Sequence, residues 1–591
     1  MIRDFIDRAK RGESVYICEV RNVFNSLSGC VDCVVELPVG TRRHYNIPIP
    51  QTACPEEAEF IREYFYACIQ NLISVLGGKR ITMYIKPGDD YIEELCASLD
   101  SVFQTDKPRI ERSGYGKCLN VTDRVNAAMD EPALSFNIIR NVYDGAHEPA
   151  LNSNTDAVAV FRAAAKTAAN AVICGMDIGG TDIKVVGAVN GRIAVLKEYD
   201  WRPSDMTTVD KLIAPITLLI KTMRVVLSLP GCERGNKLKK ALLYKDSTDE
   251  EIQALLDAAE KEFGDFILFD GIGVNFPDVV IHNKIVGGET PKTHGIRENS
   301  ADYETEFGRL CELEDILLTH CKQDGVVKLA NDGSLAAYTA VVELAHSERA
   351  GEVADGVFAH TLGTDLGTGW IDKNGEIPQI PLELYNCIID LGSYTSRGYD
   401  AYDVRSVRNF ITGMSGTPQK YAGQFGAYRL AVDAFLKGNT SLYKELIDLG
   451  FIEENETGIF VKLTPQDMRK PLLEHIMELA DNNNTNAMQV FREIGRFLAA
   501  IWYETEYMLC PDTKRRVLYG RFIKRRNCFK LMQEGVAEIH DITLDAGDDS
   551  LAFTPLMKDL KDNPDYTVAQ FGQAVGAVYF AAAKIGKRNG Y

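Results

Sequence analysis

Residues 175–191 read GMDIGGTDIKVVGAVNG. Two apolar runs flank a GGT tripeptide, and Asn190-Gly191 closes the stretch with the dipeptide of a type I′ hairpin, whose central residues take positive φ. The pattern predicts strands over 172–178, 182–189 and 192–199, joined by two tight turns into an antiparallel meander. The GGT tripeptide itself has two readings. Successive glycines let backbone N–H groups converge on an anion. Thr181 would then add a hydroxyl, Lys184 a positive charge, and Asp177 an anchor for a magnesium ion and its waters. The other reading is a plain two-residue hairpin.

The chain has 591 residues, of which 45% are apolar and 25% charged, the usage of a multidomain soluble protein. Its net charge of −19 sets up a field that repels phosphate backbones and anionic lipid surfaces. One short basic patch (Lys514, Arg515, Arg516, Lys524, Arg525, Arg526) lacks a helix-turn-helix around it, so neither nucleic acid nor membrane is expected as a partner. Fourteen cysteines are scattered, with one CxxC at Cys30 and Cys33. No second pair or histidine set follows at ligand spacing, so these read as core residues rather than zinc ligands. Free thiols and a charged start, MIRDFIDRAKRGES, with no apolar h-region point to a cytoplasmic protein.

Residues 1–150 alternate strand-like runs (SVYICEV, CVDCVVELPV, RITMYIKPG) with a helical pattern at EEAEFIREYFYACIQNLISVL, and form an N-terminal α+β domain. The stretch 144–156 reads as a linker, and its His147-Glu148 does not complete a zinc-protease HExxH, because Leu151 stands at the fifth position. Helical periodicity follows in LIAPITLLIKTMRVVLSL and in a charged insertion, strands at DGIGVNFPDVV and in VVKLANDG, and a mostly helical stretch at about 395–510.

Two further constellations carry chemistry. Asn331-Asp332 stands where the strand VVKLA gives way to the helix GSLAAYTAVVELA, the edge of an α/β sheet where ligands bind. Asp332 there could accept a proton from a substrate hydroxyl as its oxygen attacks phosphorus; the plain alternative is an N-cap aspartate. The loop LGTDLGTG, residues 362–369, is a second candidate nest, suited to the terminal phosphates of a nucleotide, or a glycine-rich connection between strands.

Together these segments resemble a known family. DIGGTDIKVVGAV is similar to the first phosphate motif of the actin-like sugar kinase superfamily, in particular its ROK family of sugar kinases and sugar-responsive repressors. GIGVNFPDVV resembles the GIGxPGPVD strand, VKLANDGSLAAYTA the strand-to-helix ND motif, LGTDLGTGWI the second phosphate motif, PLELYNCIIDL the ExGH segment, and FGQAVGAVYFAA the closing helix. The resemblance implies a two-lobed, actin-like (ribonuclease H-like) α/β kinase fold. Lobe I would span 171–330, with a closing helix at 567–586, and lobe II 331–566. It also implies ATP and Mg2+ as cofactors and a sugar as substrate, a hexose or an amino sugar. Carried over by position, Asp332 is the catalytic base. Asn331, Glu383 and Asn386 lie on the sugar side; Asp177, Gly179, Gly180, Thr181, Lys184, Gly363, Thr364, Gly367 and Gly520 lie on the nucleotide side, with Asp177 holding Mg2+ through water.

Departures from the family pattern carry information. Asn386 replaces the ExGH histidine and no CxCGxxGC cluster follows, so no structural zinc is expected. Asp365 replaces a glycine and sets a negative charge beside the expected phosphates, and the adenosine region keeps only Gly520. The extra length near 230–262 and 395–510 could reshape the sugar pocket or build a homo-oligomer interface. A catalytically degenerate sensor of sugar or nucleotide is the competing expectation, and a kinase for a non-sugar substrate a third.

Overall fold

The computed structural model describes residues 1–38, 40–145, 156–438 and 440–588. His147, Glu148 and most of the 144–156 stretch lie outside them.

Three sheets carry the chain. The first is built from β1 (Cys30–Glu36), β2 (Arg42–Pro48), β3 (Arg80–Tyr84) and β4 (Ser135–Ile139), in the order β2-β1-β3-β4. On it lie α1 (Pro55–Leu76) and α2 (Cys118–Ala128). Cys30 and Cys33, three apart on β1, face opposite sides of the strand, so only Cys33 is a core residue and Cys30 is half-buried. SVYICEV, expected as a strand, continues into a helix over Ile17–Phe24. Ile17, Val20 and Phe24 are fully buried at helical spacing, and this burial overrides the β-branched propensity of the run.

After a helix α3 (Ala157–Ala168), the opening stretch folds as the predicted meander: β5 (Val172–Ile178), β6 (Asp182–Val189) and β7 (Arg192–Asp200). A long helix, α4 (Val209–Ser228), leads to β8 (Phe269–Phe276), a small hairpin of β9 (Val280–Ile281) and β10 (Lys284–Ile285), and β11 (Cys321–Asn331). The sheet order is β11-β8-β5-β6-β7, with β8 and β11 parallel to β5. In order of appearance this is 5-4-1-2-3: an antiparallel meander followed by two parallel strands added beyond the first.

The second half repeats that plan. A helix, α5 (Asp332–Ala345), precedes β12 (Val357–Leu362) and β13 (Leu366–Ile371), an antiparallel pair. After a small hairpin of β14 (Ile452–Asn455) and β15 (Gly458–Val461) and a 25-residue helix, α6 (Thr485–Leu509), come β16 (Arg515–Gly520) and β17 (Thr543–Ala546), parallel to β12. The order β13-β12-β16-β17 is the first pattern without its third strand. The last helix, α7 (Val568–Arg588), returns to lie across β5, β6, β8 and β11 and against α5. It seats closely because Gly273 of β8 has no side chain: a Cβ there would stand 2.0 Å from the Ala577 carbonyl oxygen.

The N-terminal sheet and the β12–β17 sheet share one apolar core, whereas the β5–β11 sheet and α4 enclose a separate one. At the heart of the shared core Arg21 donates two hydrogen bonds to Glu504 of α6, at 2.6 and 2.8 Å. Asn71 of α1 adds a third to the same carboxylate, at 3.2 Å. Of the basic patch, Arg516 is fully buried over the Phe358 ring and Arg515 pairs with Asp545 and Glu352, while Lys514, Lys524 and Arg526 stay exposed. No helix among the described residues is long and apolar enough to cross a membrane.

Glu504 is wholly buried, so Arg21→Met leaves an uncompensated interior charge. It should lower stability by about 3–5 kcal/mol, while Arg21→Met with Glu504→Leu should recover most of that loss. Urea midpoints of the two variants check this.

Candidate functional site

The strands of both large sheets end at one cleft. Asp177 stands one residue before the end of β5, Asn275 and Phe276 close β8, Asn331 closes β11, Leu362 closes β12 and Gly520 closes β16. That is the C-terminal edge of the parallel strands, where α/β sheets bind ligands.

The GGT tripeptide is a tight turn: the Gly179 N–H donates to the Asp182 carbonyl at 2.8 Å. Neither Gly179 nor Gly180 lies in the left-handed region, so their absent side chains matter here for space. Trp201 braces the turn, with Nε1 donating to the Gly179 oxygen at 3.0 Å and its backbone N–H to the Thr181 oxygen at 3.1 Å. The N–H groups of Gly180 and Thr181 take no partner among the described residues, and Thr181 is exposed.

Asp177 and Lys184 are cross-strand partners on β5 and β6, and Lys184 forms an ion pair with Asp182. Burial works against the Lys184 ammonium, but Asp177 and Asp182 outweigh it and raise its pKa. Asp177 is 6% exposed; burial pushes its carboxyl up to about 6, against the pull of Lys184. Asn275, directly beside it on β8, donates Nδ2 to Asp177 Oδ1, and the buried Asn275 Oδ1 has no partner.

The cap at the head of α5 is Asn331, not Asp332. Asn331 Oδ1 accepts from the Gly333 N–H at 2.9 Å and its Nδ2 donates to the Asp278 carbonyl at 2.9 Å. With both side-chain functions engaged, Asn331 ties β11 to the β8–β9 connection. Asp332 Oδ1 also accepts from Gly333 N–H, at 2.9 Å, and Oδ2 takes no hydrogen bond among the described residues. Gly367 of β13 faces this carboxylate: a Cβ there would lie 3.3 and 3.4 Å from its two oxygens. The tighter neighbour is Thr361, whose Oγ1 such a Cβ would meet at 2.2 Å, so the missing side chain leaves room for Thr361 first and Asp332 second.

The second loop is a three-residue hairpin in which Gly363 N–H donates to the Asp365 carbonyl at 3.1 Å and the Gly363 oxygen accepts from Gln424 N–H at 2.9 Å. Gly363 faces open space and Thr364 is exposed. Asp365 turns inward, its Oδ1 shielded and unpartnered; burial raises its pKa against a Gln419 hydrogen bond and the charges of Lys292 and Lys420. Gly520, at φ +108°, pairs beside Leu362 where a Cβ would stand 2.4 Å from its oxygen. Lys524, just beyond it, feels the charge of Lys184 across the cleft.

On the remaining side stands Glu383. Burial pushes its carboxyl from the ordinary 4.5 to about 8; a Tyr385 hydrogen bond opposes this, and Asp278, Asp332 and Asp365 add to it. At neutral pH it is mainly protonated and can donate to a ligand oxygen as well as accept. Asn386 Nδ2 reaches Glu383 Oε2 at 3.3 Å, and this segment is held from behind by α1 of the N-terminal sheet. Ser74 and Val75 carbonyls accept from Glu383 and Leu382 N–H at 3.0 Å, Gln70 donates to the Asn386 oxygen at 2.9 Å, and Asn71 bonds both backbone groups of Ile388. Ser74, Lys117 and Thr122 line a narrow cleft together with Glu383, Asn386 and Thr412, so the N-terminal unit walls this end of the site.

Asp182, Asn275, Asp278, Lys292 and Tyr385 belong to the same cleft and escaped the sequence reading. Asn275 and Asp278 sit inside the quoted GIGVNFPDVV, where a polar pair at a strand end was the available signal; nothing in GGETPKTHG marks Lys292.

A duplicated meander with parallel additions, its two sheets bridged by the packed pair α5 and α7, decides the architecture. It is the two-lobed, actin-like fold. No family model matches the chain, and no curated protein matches it. Among solved structures, the actin-like chain is similar to a ROK family glucokinase from Streptomyces griseus in complex with glucose and AMPPNP. Identity there is 16%, coverage 71% of this chain and 99% of that one, and the TM-score 0.38. A ROK hexokinase from Thermus thermophilus gives 14% identity, 71% and 99% coverage and a TM-score of 0.35. A ROK family transcriptional regulator, a homologue of the E. coli MLC protein, gives 13%, 70% and 81%, and 0.38. At scores of this size the fold stands on the strand order and cleft of the molecule itself.

The raised pKa of Glu383 has a definite sign. The folded chain binds an extra proton between about pH 4.5 and 8, so its stability falls as pH rises through that window. Glu383→Gln removes this penalty, and its melting temperature should exceed the wild-type value by a margin that grows from pH 5 to pH 8 and is absent below about pH 4.5. A constant offset across that range in thermal scans contradicts the assignment.

Proposed function

We propose that the protein transfers the terminal phosphoryl group of ATP to a hydroxyl of a sugar, a hexose or an amino sugar. The observation that carries this reading is Asp332: a carboxylate at the head of α5, with Oδ2 uncommitted, between two hairpin turns on one side and Glu383 on the other.

The residues present fit magnesium and nucleotide phosphates. Among the described residues no three acidic, histidine or cysteine side chains gather as a metal site. Magnesium does not need one, because it keeps several waters and is held by one or two carboxylates plus phosphate oxygens. Asp177 offers such a carboxylate, and the orphaned Asn275 and Asp365 oxygens offer further acceptors for its waters. Bound there, the metal would supply charge neutralisation at the phosphates.

Glu383, set by Asn386 and Tyr385, binds and orients the sugar ring. Asp332 Oδ2 accepts the proton of the attacking hydroxyl, while Oδ1 stays fixed by the Gly333 amide. Gly180, Thr181 and Thr364 present exposed polar groups to the phosphates. Positioning and charge stabilisation do most of the work in phosphoryl transfer, so a modest base suffices. Closure of the lobes would exclude water, the competing acceptor.

A second reading, a non-catalytic sensor of sugar or nucleotide, is favoured by Asp365, whose inward carboxyl adds negative charge to the phosphate side. One experiment separates the two: ADP release from magnesium-ATP against hexoses, amino sugars and N-acetylated sugars, for wild type and Asp332→Asn. Sugar-dependent turnover reduced in the variant by about 10²-fold or more is the expected result. Nucleotide binding with no turnover on any sugar would overturn the kinase reading in favour of the sensor.

A further inference from the structure

Lys292 sits on a 3-10 turn, Pro291–Thr293, that follows β10. Its side chain crosses the mouth of the GGT turn, with Cε 3.3 Å from where a Cβ on Gly180 would stand. The residue is half-buried, yet its ammonium has no ion pair and no hydrogen bond among the described residues. It is not remote from charge: it acts on the carboxyls of Asp177, Asp278 and Asp365, from both lobes. A lysine suspended among three carboxylates without pairing to any of them, beside two uncommitted amides at Gly180 and Thr181, is arranged for an anion between them.

The segment that carries Lys292 is bolted down from the N-terminal unit. Arg124 of α2, its side chain 8% exposed, donates to the Gly287 oxygen at 2.5 Å, to Glu289 at 3.0 Å and to both oxygens of Glu304 at 2.6 and 3.0 Å. Asp278 takes the Gly288 N–H at 2.8 Å, and Arg297 donates to the Gly288 and Thr290 oxygens at 3.1 Å. Gly288, at φ +76°, passes so near Arg124 that a Cβ would lie 2.7 Å from its Nη1. These bonds tie the loop to a residue outside both lobes.

We propose that Lys292 is a catalytic residue that contacts the phosphoryl group in transfer, and that Arg124 is the residue that positions it. The proposal rests on the phosphotransferase reading. As the sugar oxygen bonds to the γ-phosphorus, the bond from that phosphorus to the β–γ bridging oxygen breaks, ADP leaves and the hydroxyl proton passes to Asp332. The Lys292 side chain balances the charge on the non-bridging oxygens, as fixed donors do where charge develops.

The test uses the full chain and the variants Lys292→Met, Lys292→Arg, Arg124→Met and Arg124→Lys, each checked for a wild-type thermal transition. Binding of magnesium-AMPPNP and magnesium-ADP is measured by calorimetry and sugar-dependent kcat by ADP release. Lys292→Met should weaken AMPPNP about tenfold, leave ADP within about twofold, and lower kcat by about 10²-fold or more, with partial recovery in Lys292→Arg. Arg124→Met should reproduce the fall in kcat with little change in the sugar KM, and Arg124→Lys should restore part of it. Equal effects of Lys292→Met on both nucleotides, or none on either, would overturn the proposal while leaving the Asp332 reading standing. If wild type binds AMPPNP but phosphorylates no sugar, the kinase reading fails, and the two nucleotides still decide whether Lys292 meets a terminal phosphate. A wild type that does not bind AMPPNP overturns both.

Discussion

Gly333 at the start of α5 and Gly369 on β13 touch backbone to backbone. A Cβ on Gly333 would stand 2.2 Å from the Thr368 carbonyl carbon, and one on Gly369 would stand 1.9 Å from the Gly333 oxygen. No side chain fits there. The contact sets how closely α5 seats on the second sheet, and because α5 begins at the end of β11 in the first, it also sets how the two sheets meet. Asp332 is the residue before Gly333, so the same packing places its carboxylate against Gly367 at the floor of the cleft. Close packing of this kind transmits a shift of one element to its neighbours, and the site is accordingly part of the core's geometry rather than an addition to its surface.

The N-terminal unit is built into the second lobe by a shared apolar core and by the buried Arg21–Glu504 pair. Its α1 is buried on every side from Tyr64 to Leu76, and the polar residues it takes inside, Gln70, Asn71 and Ser74, meet the 382–388 segment. They pair backbone groups that a loop at this depth would otherwise leave unsatisfied. Toward the first lobe the same unit presents a smaller apolar contact, Val121 and Val125 against Val279, Ile281 and Val286, together with Arg124. One added unit therefore shapes one end of the cleft from both sides.

The cleft concentrates charge at a cost. Asp177, Asp278 and Glu383 all have their pKa raised by burial, which means that the fold holds carboxyls where water would serve them better. Groups perturbed by burial and gathered where the strand ends of two sheets converge are the usual mark of a functional site. Asp365 fits that picture as an additional inward carboxyl, with Lys292 and Lys420 as the cations that temper it.

Much of this was legible in the chain. The meander follows from GMDIGGTDIKVVGAVNG because hairpin turns and alternating burial are local properties, set by residues a few positions apart. The strand-to-helix junction at Asn331-Asp332 was readable for the same reason, although which of the two capped the helix was not: both types cap, and only the geometry of Asp278 decided it. Helices were clear where their period was long, and unclear in SVYICEV, where seven residues of mixed propensity took their conformation from the core they met. What tertiary structure alone decided was every relation between distant segments. Lys292 reaches Gly180 across more than a hundred residues, Arg124 holds Gly287 from another unit, and Gln70 stands behind Asn386. Such pairings leave no trace in local periodicity, because the free energy that selects them comes from burial and close packing of the whole chain.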